Sequence, residues 1–187
     1  MHEGHTRLRQ MPPESPALEG FEQSILPHLG VAYNLARWLT RNEQDAQDVV
    51  QEACLRAMKF FGGFHGGNSK AWLLTIVRNT CYTWLQQNRP HELTAVFDEG
   101  LHSGNQNPCT PETLLLQKYD NQSLKQAIEE LPLEFREVLI LRELEGLSYK
   151  EIAGISSVPV GTVMSRLARA RKRLQEFLVN RMKEESR

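Results

Sequence analysis

The sequence predicts an all-α fold: two small helical domains joined by a flexible linker, the C-terminal one containing a helix-turn-helix. Three observations predict it. Apolar residues recur at helical spacing through most of the 187 residues, and no segment sustains the alternation of a strand. The stretch from about His91 to Glu112, HELTAVFDEGLHSGNQNPCTPE, is acidic, aperiodic and rich in Gly, Asn and Pro, so it reads as a linker. Near the C-terminus a short capped helix, a tight turn and a longer basic helix follow one another in order. The expected boundaries are a disordered tail over 1–19, a first domain over 20–90, a linker over 91–120 and a second domain over 121–187.

Composition excludes several classes. Hydrophobic content is 40% and charged content 24%, which suits a water-exposed globular chain able to form a core. No apolar run approaches the roughly 20 residues of a membrane span, so no membrane insertion is expected. The opening MHEGHTRLRQMPPESP has no apolar segment of a secretory signal, which points to the cytoplasm. The three cysteines, Cys54, Cys81 and Cys109, are widely spaced, match no zinc pattern and suit a reducing compartment. Cys109 reads as an inert linker thiol. The HEGH of His2 and His5 reads as mobile tail rather than a metal site. No metal and no cofactor is expected.

The clearest helix of the first domain runs from about Glu43 to Phe60. Asn42 precedes it with Asp45 three residues on, a variant of the capping box. Ala46, Val49, Val50, Ala53, Cys54 and Ala57 follow the spacing of a buried face. Asp48, Gln51, Glu52 and Leu55 lie on the other side. On pattern alone that side reads equally as a solvated face or a docking surface.

A second helix is expected from about Ser69 to Asn88. Its apolar stripe is Trp72, Leu73, Ile76, Val77, Cys81, Trp84 and Leu85. Its other side carries Lys70, Arg78, Asn79, Tyr82, Thr83 and Gln86. Phe60 to Pro90 holds three basic residues and no acidic one. Aromatic, amide and basic groups beside the Gly-rich GGFHGGNS, with Phe64 and His65 in it, suit stacking on unpaired bases and contact with phosphates. Trp72 and Trp84 sit on the stripe and read as core.

In the second domain Leu131 and Pro132 separate two helices, with Pro132 suited to a helix start. PLEFREVLILREL buries Phe135, Val138, Leu139 and either Leu141 or Leu144. Gly146 suits the position just past a helix end. Ser148 with Glu151 forms a full capping box for the short helix YKEIAG. Pro159 then stands at the first turn of the last helix, where its missing N–H costs nothing. Gly161, Thr162 and Ser165 are small enough to let this helix enter a DNA major groove. Val163 and Leu167 hold it to the domain, and Arg166 and Arg169 reach phosphates or base edges, with Arg173 one turn further.

Charge follows the same division. The formal net charge is −1, yet Pro159 to Lys183 holds seven basic residues and one acidic, while Asn121 to Glu151 holds four basic and seven acidic. Positive charge sits where phosphates would be met. A near-neutral chain with one basic helix should bind DNA weakly by itself.

DAQDVVQEACLRAMKFF, FHGGNSKAWLLTIVRNTCYTWL and LPLEFREVLILRELEGLSYKEIAGISSVPVGTVMSRLARARKRL, in this order and spacing, resemble a bacterial RNA polymerase sigma factor of the extracytoplasmic-function (ECF) group. The resemblance covers about Phe21 to Leu178. It implies that 20–90 is sigma region 2 and 121–187 sigma region 4. It implies transcription initiation without enzymatic activity, with core RNA polymerase (the beta-prime clamp helices and the beta subunit), promoter DNA and an anti-sigma factor as partners. Asp48, Gln51, Glu52 and Leu55 then match the surface that binds core polymerase. Phe64, His65, Lys70, Arg78, Asn79, Tyr82 and Thr83 match the region that melts and reads the minus-ten element. Pro159, Gly161, Thr162, Ser165, Arg166, Arg169 and Arg173 match the reader of the minus-thirty-five element.

Two positions depart from the family pattern. Ser156 and Ser157 stand at the turn where the family often has Gly; a non-Gly residue in a left-handed conformation there costs about 1 kcal/mol. The end of the second helix, WLQQNRP, is less basic than in many relatives. A stand-alone helix-turn-helix regulator would leave the acidic face of the Glu43–Phe60 helix unexplained. An enzyme would need a nucleophile–base set or phosphate loop that the sequence does not offer.

Overall fold

The computed structural model describes residues 16–93 and 121–185, and every regular element among them is helical. The linker residues 94–120, Cys109 and the HEGH segment lie outside the described residues. In the first half, α1 (Pro16–Ile25) leads through a 3₁₀ turn (Leu26–His28) to α2 (Leu29–Thr40), α3 (Glu43–Phe60), α4 (Ser69–Asn88) and the short α5 (Pro90–Leu93). The second half holds α6 (Asn121–Glu130), α7 (Leu133–Leu139), α8 (Tyr149–Ser156) and α9 (Val160–Glu185). Helix α1 begins inside the stretch expected to be tail, and α5 occupies the first residues expected to be linker.

Local chemistry fixes the helix ends. The Asn42 side chain accepts the Asp45 N–H at 3.1 Å, and the Asn68 side chain accepts the Ala71 N–H at 2.9 Å. At the start of α8 the Ser148 hydroxyl accepts the Glu151 N–H, while the Glu151 carboxylate accepts the Ser148 N–H at 2.8 Å. Both arms of the capping box are therefore closed. Ser148→Ala removes one arm and is expected to cost about 1 kcal/mol, read in a denaturant titration. The Ser148 hydroxyl, then the Ser148 N–H, hold the Glu151 carboxyl below the usual glutamate range. A lowered folded pKa means this contribution is present above the unfolded value and lost as pH falls through the folded one. Mild acid should thus loosen the start of α8 first, visible as faster amide exchange at Glu151 and Ile152.

Helix α7 runs on into a π-helical turn, Ile140–Leu144, where the Glu145 N–H reaches the Ile140 carbonyl at 3.1 Å. The wider turn shifts the register. Leu141 is fully buried and Leu144 is exposed, which settles the alternative left by the sequence. Gly146 takes a positive φ of 68° and ends the segment. Ser157 adopts the left-handed conformation, φ 55° and ψ 42°, at the turn between α8 and α9. A serine therefore occupies there the strained geometry that a glycine would take freely.

The core of the first half joins Leu35, Leu39, Ala46, Val49, Ala53, Leu73, Leu74, Val77 and Leu85, from the mutually packed α2, α3 and α4. Cys81 is buried with them; Cys54, read as core, is only half-buried. Burial raises both thiols above the ordinary range, so neither is primed for reaction. The α4 stripe is rotated from the expected one. Leu74 and Thr80 are buried, whereas Trp72, Ile76 and Trp84 are half-buried. In the second half α7, α8 and α9 pack around Phe135, Val138, Ile140, Ile152, Ile155, Val163 and Leu167.

The halves also pack on each other, α8 on α4 and α7 on α2. Arg136 is 1% exposed and spans the joint: it donates to the Glu129 carbonyl at 2.7 Å in its own half and to the Leu39 carbonyl at 3.3 Å across it. Burial, then Arg41, pulls this guanidinium down to about 10. Glu92 of α5 gathers Arg41 at 2.7 Å, Arg89 at 3.6 Å and Arg136 at 4.0 Å. The end of the first half is thereby tied to the start of the second.

Candidate nucleic-acid and protein interfaces

Helix α3 buries one side and leaves the other open. Because Ala46, Val49, Ala53 and Ala57 face α2 and α4, the helix turns Asp48, Gln51, Glu52 and Leu55 to solvent. Leu55 is 58% exposed, and Met58 and Phe60 lie exposed beyond it. Arg56 pairs with Glu52 at 2.7 Å. An apolar centre rimmed by carboxylates and an amide has the composition of a protein-docking patch. Met58 and Phe60 were missed in the sequence; continuing the i, i+3 spacing from Leu55 finds Met58.

The expected minus-ten residues divide into three sets. His65, Asn79 and Thr83 are exposed. Phe64 is half-buried, its ring 5.0 Å from that of Trp72 and 5.8 Å from that of Phe61. It belongs to an aromatic cluster completed by Phe21 rather than standing free to stack on a base. Gly66 and Gly67 take positive φ values of 89° and 103°, which let the loop double back before Asn68 caps α4.

Lys70, Arg78 and Tyr82 are not open to solvent as the pattern of α4 suggested; the second half covers them. Lys70 donates to the Glu145 carbonyl at 3.0 Å. Arg78 Nε donates to Glu137 at 3.1 Å, and the Tyr82 hydroxyl donates to the other Glu137 oxygen at 2.5 Å. The Arg78 guanidinium also lies 3.8 Å from the centre of the Tyr82 ring. Glu137 is wholly buried and accepts a third bond from the Ser156 hydroxyl. Burial pulls the Arg78 guanidinium down, but Glu137 and Tyr82 more than offset it, and the net shift is upward. Burial, then Glu137, raises the Tyr82 phenol. Asn68 closes the same joint by donating to Glu151 at 2.7 Å. A single carboxylate of α7 thus accepts from both Arg78 and Tyr82.

Helix α9 follows the expected geometry in part. Val163 and Leu167 are buried, and Pro159, Gly161, Ser165 and Arg169 are exposed, with Thr162 half-buried. Arg166 departs from expectation: it is drawn to α7 and pairs with Glu134 at 2.9 Å. The guanidinium of Arg173 lies 5.2 Å from the centre of the Phe135 ring. Both flank the buried stripe on the α7 side, about 60–80° from Val163 at 100° per residue, while Arg169 points further out. The open face of the first turns is Val160, Gly161, Met164, Ser165, Ala168 and Arg169. The charge pattern that singles out the basic residues of α9 carries no signal for Val160 and Met164.

The first half thus leaves an apolar and acidic face of α3 open, and the second half holds a helix-turn-helix whose second helix presents small and basic residues. Comparison with known proteins sharpens this. Residues 25–90 match the family model for Sigma-70 region 2, and residues 121–174 match that for Sigma-70, region 4. The ECF RNA polymerase sigma-E factor of Escherichia coli K12 is 41% identical over 135 residues, covering 68% of this chain and 71% of that protein. The RNA polymerase sigma-H factor of Pseudomonas aeruginosa is 35% identical over 166 residues, covering 84% and 86%. Among solved structures, the sigma factor RpoE of Bartonella quintana, in complex with the anti-sigma factor NepR, aligns with a TM-score of 0.66 at 32% identity. That alignment covers 86% of this chain and 97% of that one. CnrH, in complex with the cytosolic domain of CnrY, aligns with a TM-score of 0.61 at 25% identity, covering 87% and 90%. The chain belongs to the ECF group of RNA polymerase sigma factors, and its function is promoter recognition and transcription initiation with core RNA polymerase. No described helix is long and apolar enough to cross a membrane.

Proposed function

We propose a division of that function among three surfaces. The open side of α3, with Asp48, Gln51, Glu52 and Leu55, docks on core polymerase at the beta-prime clamp helices. The loop and α4 engage the minus-ten element as it melts, through His65, Asn79 and Thr83, which are open, and through Lys70, Arg78 and Tyr82 once the second half moves off them. The open face of α9, with Gly161, Thr162, Ser165 and Arg169, lies in the duplex of the minus-thirty-five element. The domains are region 2 over 20–90 and region 4 over 121–187, and the beta subunit is a further contact. The chain works in the cytoplasm as a non-enzymatic factor, and an anti-sigma factor is its inhibitory partner; the relative RpoE, captured with the anti-sigma factor NepR, supports that.

One observation carries the assignment of α9: Val163 and Leu167 are buried while Gly161, Ser165 and Arg169 stand open at its N-terminal end. In a helix-turn-helix that end meets the bases. Arg169→Ala in the holoenzyme should lower the salt slope of promoter binding by about 1 if it meets a phosphate. It should instead relax preference at one position if it meets a base edge. Arg166→Ala should do less to either, because Glu134 already holds that side chain. Salt titrations on a panel of promoter variants read both effects. No change in affinity, slope or preference for Arg169→Ala would remove α9 from the groove.

A further inference from the structure

We infer that Met164, with Val160 one turn before it, reads the 5-methyl groups of thymines in the upstream promoter duplex. The inference rests on the assignment of α9 to that duplex and adds a chemical class of base contact to it.

Both side chains are apolar and both are open, Met164 at 53% and Val160 at 41% exposure. They are not strays from the core. Val163 between them is fully buried, so the helix has its own apolar seam and these two lie beside it. They share the first turns with Gly161 and Ser165, and the basic Arg169 and Lys172 follow on the exposed side. Around the helix Gly161, Ser165 and Ala168 separate this apolar pair from Arg169, so the open face carries apolar groups at one edge and a cation at the other, complementary to a major groove that offers both methyl groups and phosphates. Thymine is the base whose major-groove edge carries an apolar group, the C5 methyl. The cations one to two turns along supply the phosphate attraction that would bring the pair to it.

The spacing fits. Four residues of helix rise about 6 Å, and base pairs on one strand repeat about every 3.4 Å. Two side chains one turn apart therefore span about two base steps. Methionine suits the role because its unbranched, polarisable side chain adapts to an irregular apolar surface. Arg166, the basic side chain nearest in sequence, is held on the other flank by Glu134 and leaves this part of the helix to Met164.

Holoenzyme formed with core polymerase would be selected on pools of duplex DNA with a random 40-base-pair centre, and the upstream motif read from the bound fraction. The expected motif contains thymine at one or two positions whose preference is lost with Met164→Ala. Replacing those thymines by deoxyuridine removes only the methyl. It should weaken binding by the parent chain about fourfold per methyl and leave binding by Met164→Ala unchanged. Equal binding of thymine and deoxyuridine duplexes by the parent would overturn the inference, as would an equal loss in both chains, while the motif itself would preserve the assignment of α9. The absence of any upstream motif would overturn that assignment and this inference together. If Met164→Ala weakened capture of core polymerase, the pair would face a protein, and the inference would fall. Met164 is exposed and alanine favours helix, so circular dichroism should show the variant folded.

Discussion

Glu137→Ala is expected to part the two halves of the molecule and to cost about 3–5 kcal/mol of folding stability, the range for removing one member of a buried ion pair. The side chain is fully buried and accepts from Arg78, Tyr82 and Ser156. Its loss leaves a guanidinium with 16% side-chain exposure opposite no carboxylate and two hydroxyls without their acceptor. Ser156 belongs to the same half as Glu137, so this substitution also disturbs the seat of α8. Tyr82→Phe and Arg78→Ala touch only the arms from the other half. They should widen the molecule in solution scattering while leaving α8 as protected from exchange as in the parent. If all three variants keep the parent's radius of gyration, the contact does not hold the halves together. The same carboxylate covers Arg78 and Tyr82, so the engagement of DNA proposed for them requires this joint to open.

Leu55→Asp is expected to weaken capture by core polymerase by at least about thirtyfold, the effect of an interface residue contributing about 2 kcal/mol or more. Leu55 sits at the centre of the open face of α3, 58% exposed, with Asp48, Gln51 and Glu52 around it. A third carboxylate there places charge where an apolar contact is proposed, and adds to the acidic side of a face that needs a complementary partner. The fold should not change, because the side chain touches solvent rather than the core. Asp48→Lys combined with Glu52→Lys should weaken capture as well, through charge rather than burial. Undiminished binding in a pull-down, with a parent-like circular dichroism spectrum, would remove α3 from the interface.

The sequence was most legible where local chemistry decides. Asn42 and Ser148 announced two helix starts, Gly146 an end, and the spacing of Ala46 to Ala57 a buried face; the structure has these, with Val50 and Cys54 only half-buried beside that face. Ser157 takes the left-handed conformation at the turn where the family often has glycine. Sequence periodicity fell short where the outcome depends on two elements meeting. Arg78 and Tyr82 look solvated on α4 because nothing in α4 reveals that α7 will lie across them. Glu137 has no pattern of its own; it is a buried acceptor only because three donors from α4 and α8 converge on it. Arg166 reads as groove-facing with Arg169, and Arg173 as one turn further, but Glu134 and Phe135 one helix away draw Arg166 and Arg173 aside. The π-helical turn at Ile140–Leu144 likewise moves Leu144 outward, a shift that no 3.6-residue template contains.

The most direct measurement is transcription in vitro from a promoter library, with core polymerase alone, with this chain alone and with both together. Membership of the ECF sigma factors predicts that specific initiation appears only with both, and that the chain alone binds the same promoters weakly because its near-neutral charge and covered α4 face leave it little hold on DNA. Tight, specific binding by the chain alone, with no promoter-specific transcripts when core polymerase is added, would contradict the account.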